Sequence, residues 1–127
     1  MYNSENGFTL IEFLVSIVIL MIGMLGLLQA VNLAYSHNLQ NQLRNEAVMV
    51  GDARMAAEIA RGYNNLSTST STASVTRSIN NGSKTFTVTR TGSSFANSKQ
   101  LNIEVHWNYK GTDYSHATSG VVSKANQ

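Results

Sequence analysis

Gly7-Phe8-Thr9-Leu10-Ile11-Glu12 runs directly into Phe13-Leu14-Val15-Ser16-Ile17-Val18-Ile19-Leu20-Met21-Ile22, and the reading of this stretch decides the rest of the chain. From Phe8 to Leu28 there is one charge, Glu12. About 20 predominantly apolar residues are enough to cross a bilayer as a helix. A carboxylate inside such a span costs at least a few kcal/mol, so it marks a functional position by default. Taken alone, an acid near one end of a span also has a plain reading, a charge at the headgroup level.

Working outward, the pattern predicts one long helix over residues 8–62. Its first half is apolar all round, as a lipid-facing helix must be. Gly23 and Gly26 fall inside it. They are read either as a flexible point or as sites of close helix packing. The second half is amphipathic: Leu39, Leu43, Ala47, Val50, Ala57 and Ala60 lie close to helical spacing, with Ala53 or Arg54 between them. Arg44, Glu46, Asp52, Glu58 and Arg61 are placed on the remaining faces, with Glu58 paired to Arg54 four residues away. Gly62 reads as the C-terminal stop. About 55 residues at 1.5 Å each give a helix of about 80 Å.

Beyond the helix, residues 63–73 are rich in Ser and Thr and read as a solvated connector. The remainder alternates with period two, as half-buried antiparallel strands do. Val75, Arg77 and Ile79 form one such set, and Phe86 and Val88 another. Leu101, Ile103, Val105, Trp107 and Tyr109 are the clearest, with Asn102, Glu104, His106, Asn108 and Lys110 on the opposite face. Asn81-Gly82 is read as a hairpin turn, and Lys110-Gly111-Thr112-Asp113 as a second one, leading into a strand from Tyr114 to Val122. The expectation is α+β: a meander of about four strands lying on the amphipathic half of one long helix. The small residues along that helix predict a sheet lying close against it.

With 127 residues there is room for one small domain and the helix. The absence of cysteine excludes disulfides and thiolate metal sites. Net charge is +2, or +3 if residues 1–7 with Glu5 are removed, and the basic residues are scattered. That pattern argues against a dedicated nucleic-acid surface. His37, His106 and His116 are far apart, so no metal site is expected, and His106 is placed on a solvated strand face. Asp113 sits in a turn, where Asp is common. Neither a nucleophilic triad nor a phosphate loop stands out, and no catalytic residue or cofactor is expected. Trp107 is read as core rather than as a sugar platform. Phe95, in Gly92-Ser93-Ser94-Phe95, is the loop aromatic read as a candidate partner contact.

The run GFTLIE ahead of the apolar stretch resembles the processing site of type IV prepilins and the related pseudopilins. An ordinary secretory signal is cut after its apolar core. Here the candidate cut, between Gly7 and Phe8, precedes that core and leaves it as an anchor. The resemblance implies a leader at residues 1–7, removal of it by a prepilin peptidase, and N-methylation of Phe8. It also implies that Glu12, one turn from Phe8 on the same helix face, pairs with the amine of Phe8 in its own or a neighbouring chain and so sets subunit register. The six-residue run outweighs the plain reading of Glu12.

Ile22-Gly23-Met24-Leu25-Gly26-Leu27-Leu28-Gln29-Ala30 is similar to minor pilins of the V type, the pilus modification proteins. Asp52-Ala53-Arg54-Met55-Ala56-Ala57-Glu58-Ile59-Ala60-Arg61 is similar, more loosely, to a later region of theirs. The chain departs from common pilin patterns in having no Lys or Arg in the leader, no proline and no cysteine. The expected division is leader 1–7, polymerisation helix 8–34, amphipathic helix 35–62, and connector with β head 63–127.

The resemblance implies a pilin fold and a non-enzymatic minor pilin of the inner membrane, head in the periplasm, that enters or primes a type IV pilus. Implied partners are the peptidase/methyltransferase, major and minor pilins, inner-membrane lipid and the pilus assembly platform. A type II secretion pseudopilin and a non-polymerising membrane-anchored binding protein are the alternatives.

Overall fold

A computed structural model describes residues 7–125; the leader residues 1–6 of the sequence reading lie outside the described residues. The chain divides into two units, one ending at Leu39 and the other beginning at Gln40. A single α-helix, α1 (Leu10–Ile59), carries the chain from the first into the second. It is continuous through Gly23 and Gly26.

In the first unit, the large apolar side chains from Leu10 to Tyr35 are exposed almost without exception. The helix is long and apolar enough to cross a membrane, and none of its most apolar window is buried by protein. Such a surface is stable in lipid, where backbone groups are satisfied within the helix.

The second unit is the α+β head. After α1 comes a short helical turn, α2 (Gly62–Asn65), then β1 (Ser71–Ile79), β2 (Gly82–Ser94), β3 (Ser98–Tyr109) and β4 (Thr112–Ser123). They form one antiparallel sheet in the order β1-β2-β3-β4. Alternation puts Phe86, Val88, Leu101, Ile103, Val105 and Trp107 on one face, all buried against Leu43, Ala47, Val50 and Met55 of the helix. Each such burial contributes roughly 1.5–3 kcal/mol. Trp107 is 4% exposed and lies in the core as expected; its ring stacks on Tyr114 (5.8 Å, 19°) and meets Phe86 at a tilt (6.1 Å, 56°). The helix approaches β3 closely at Gly51, where a Cβ would lie 3.3 Å from Val105.

Several expectations need correction. The buried helix stripe does not continue through Ala57 and Ala60, which are exposed; it turns to Gly51, Met55 and Glu58. A 3.6-residue period drifts around the cylinder, and the sheet follows only the part it covers.

The Ser/Thr segment is not simply a solvated connector. Residues 62–65 form α2, Leu66 is buried, and Ser71 to Ala73 already belong to β1. The first hairpin turns on Asn80-Asn81 (φ 46° and 61°), with Ile79 facing Gly82 across the strands. The expected Asn81-Gly82 pair is therefore displaced by one residue. In the second hairpin the two turn residues are Lys110 and Gly111 (φ 50° and 80°). Both are left-handed two-residue turns whose twist matches that of the flanking strands.

Candidate assembly segment and the buried ion cluster

The start of α1 is built by two residues that bond each other reciprocally. Glu12 Oε2 accepts the Thr9 backbone N–H (2.9 Å), and Thr9 Oγ1 accepts the Glu12 backbone N–H (3.3 Å). This is a capping box, which satisfies two of the donors a helix start leaves unpaired. Ser16 Oγ donates to the Glu12 carbonyl (2.7 Å), adding a third polar contact within this first stretch of helix. Phe8, just ahead of the box, is 93% exposed, and a Cβ at Gly7 would meet nothing within 4 Å.

The Gly7–Phe8 peptide thus lies in open chain two residues before the helix, with the Glu12 carboxylate one turn further on. The resemblance pairs Glu12 with the Phe8 amine; in the structure the same carboxylate is held by Thr9. The spacing Thr-x-x-Glu ahead of an apolar run was the available signal for the cap.

The head contains a second polar cluster that sequence reasoning missed. Glu58, read as a surface charge paired to Arg54, is 1% exposed. It does bind Arg54 (3.1 Å), but it also binds Arg90 of β2 (3.0 Å), with Arg61 at 3.9 Å. Arg90 occupies an inward position of its strand, in line with Phe86 and Val88. Its buried Nε has no partner among the described residues, while Nη1 also donates to the Ser67 carbonyl (3.1 Å) and Nη2 to that of Ser69 (2.6 Å). Lys99 Nζ does the same for Tyr63 (2.8 Å) and Leu66 (2.9 Å) and lies over the Tyr63 ring. Two cations therefore hold the connector to the sheet through its backbone. The alternation Phe86-Val88-Arg90 was the legible hint that Arg90 points inward.

Other singled-out side chains take plainer positions. Exposed His106 lies 3.4 Å from Glu104 on the outer sheet face. Phe95 is 56% exposed between β2 and β3. Asp113 lies not in the turn but in β4, opposite Asn108 of β3, from which it accepts a hydrogen bond (2.7 Å), because the turn closes on Lys110 and Gly111.

Residues 2–28 match the family model of the prokaryotic N-terminal methylation motif. The chain carries a type IV prepilin-like signal. Comparison with curated proteins and with solved structures finds no match. The prepilin-like signal covers Gly7, Phe8, Thr9, Glu12 and both span glycines, and it ends before the head begins. A membrane-capable helix behind such a signal fits anchoring in the inner membrane. Together with the helix-on-sheet head it makes an α+β pilin-like molecule, and it points to a structural subunit rather than an enzyme.

Proposed function

We propose that the protein is a minor pilin. It is cut between Gly7 and Phe8, methylated on Phe8, held in the inner membrane with its head in the periplasm, and taken into a type IV pilus, whose assembly it helps to prime. The observation that carries this reading is Glu12, the one charge in the exposed apolar stretch from Phe8 to Leu28, one turn behind the candidate cleavage site within the matched motif. In lipid a carboxylate needs a partner, and a neighbouring subunit's Phe8 amine meets that need only in one vertical register. Gly23 and Gly26 allow close approach of neighbouring spans or local bending.

The test is the intact mass and N-terminus of the protein from cells with and without the prepilin peptidase. A chain beginning at methylated Phe8 only when the peptidase is present supports the reading, and its recovery in sheared pili completes it. A retained leader in the presence of active peptidase overturns it. Dependence on a type II secretion platform instead of a pilus platform would make it a pseudopilin.

A further inference from the structure

Between the helix of the head and the helix-side face of β1 lies an open cavity of about 240 Å3. Its walls are apolar: Ala53 and Ala57 of the helix, Ala73 and Val75 of β1, and Val88 of β2. Three guanidinium groups share the lining, those of Arg54, Arg77 and Arg90. Arg77 reaches it because strand parity puts Arg77 on the same face as Ala73 and Val75.

The carboxylates at hand are too few for these cations. Glu58 alone serves three of them, with Arg90 at 3.0 Å, Arg54 at 3.1 Å and Arg61 at 3.9 Å. Arg77 lies 3.4 Å from Glu46. It also stands opposite Lys84 in the β1–β2 pairing, both at helix-side positions. Like charges directly opposite each other destabilise a strand pair. In and beside the cavity, then, Arg54, Arg61, Arg77, Lys84 and Arg90 meet only Glu46 and Glu58. The other acids of the head lie elsewhere. Glu104 and Asp113 are on the outer sheet face, and Asp52 is about 140° around the helix from Ala57. Arg90, whose side chain is 5% exposed, keeps a buried Nε with no acceptor among the described residues.

We propose that this cavity binds a small apolar carboxylate. The hydrocarbon or aromatic body of the acid lies against the alanine and valine walls, and its carboxylate sits among Arg54, Arg77 and Arg90. A guanidinium fork matches a carboxylate with two parallel hydrogen bonds. A neutral hydrocarbon would leave the excess of positive charge unanswered, and a bare inorganic anion would leave the apolar walls uncovered. The volume falls below the range of about 300–1,000 Å3 that suits drug-sized ligands, so the body is a single ring or a short branched chain. The site lies wholly in the head and does not depend on the pilus reading.

The probe is 3-phenylpropionate, with 3-phenylpropanol and sulfate as controls. It is titrated into the full chain, labelled with 15N-arginine, in lipid nanodiscs. The five arginines give five Nε–H signals, and exposed Arg44, away from the cavity, is the internal reference. The signals of Arg54, Arg77 and Arg90 are expected to shift and saturate with a dissociation constant of about 1 mM, as suits so small a ligand. Arg77→Gln should weaken binding about tenfold by removing one charged donor set. Ala57→Phe, which fills the cavity from an exposed helix position, should abolish it while Trp107 emission stays as in the parent chain.

Absence of a saturable shift at these arginines overturns the proposal. Equal shifts with the alcohol make the cavity a plain apolar hollow, and equal shifts with sulfate make the arginines an unspecific anion patch; either result also overturns it. Undiminished binding in a folded Ala57→Phe chain places the acid elsewhere and does the same. Processing at Gly7–Phe8 and entry into pili are read separately, so failure here leaves the pilus reading standing.

Discussion

Arg90 Nη1 lies 3.0 Å from Glu58 Oε2, joining residues 32 positions apart in a buried bridge between helix and sheet. The same guanidinium holds the Ser67 and Ser69 carbonyls, so one side chain fixes helix, sheet and connector together. Removing one partner of a buried pair leaves a desolvated charge behind, at a cost of about 3–5 kcal/mol. Glu58 keeps Arg54 at its other oxygen, so Arg90→Met is expected near the lower end of that range. Glu58→Leu with Arg90→Met should cost less than the single changes added together, because neither charge is then stranded. Denaturant unfolding of the full chain in micelles, followed by Trp107 emission, measures both; Trp107 is the sole tryptophan.

Thr9 and Glu12 allow the cap to be separated from the charge. Glu12→Gln retains an acceptor for the Thr9 N–H, whereas Glu12→Ala removes that half of the capping box together with the charge and leaves Thr9 Oγ1 on the residue-12 backbone N–H. If the carboxylate docks subunits, both variants enter the membrane and neither reaches sheared pili. Loss of the Glu12 half of the box shows only in Glu12→Ala, as faster hydrogen exchange in the first helical turn. Normal pilus entry by Glu12→Gln would reduce Glu12 to its capping role.

Gly92 faces the connector backbone. A Cβ there would lie 2.7 Å from Thr68 Cα and 3.1 Å from its carbonyl oxygen, and backbone cannot rotate away. Gly92→Ala is expected to destabilise the head by about 1–3 kcal/mol and to speed proteolysis between Leu66 and Thr70. Gly82→Ala, whose Cβ finds its nearest atom at 3.5 Å, is the near-neutral control in the same assay.

Lys110 occupies a left-handed position (φ 50°) beside Gly111 in the β3–β4 turn. Asn tolerates that conformation better, and Asn-Gly is the favoured pair for such a turn. Lys110→Asn should therefore raise stability by a few tenths of a kcal/mol, less whatever the contact of Lys110 with the Tyr109 ring contributes. A higher unfolding midpoint at unchanged denaturant slope is the expected reading.

The amino-acid sequence by itself determined the membrane-capable helix, the prepilin-like signal and the four antiparallel strands. These depend on local period and composition: an apolar run with one carboxylate, and alternation such as Leu101-Ile103-Val105-Trp107. It also determined that Trp107 lies in the core, because strand parity leaves an inward residue no other place. Only the tertiary structure decided which flank of the helix is covered, and so that Glu58 is buried while Ala57 is not. Sequence spacing pairs Glu58 with Arg54 one turn away, but its buried partner, Arg90, arrives from a strand 32 residues on. The connector's tie to Arg90 and Lys99, and the bridge from Arg77 of β1 to Glu46 of the helix (3.4 Å), belong to the same level. They depend on how wide a sheet lies beneath the helix and where it sits, which periodicity along one strand does not encode.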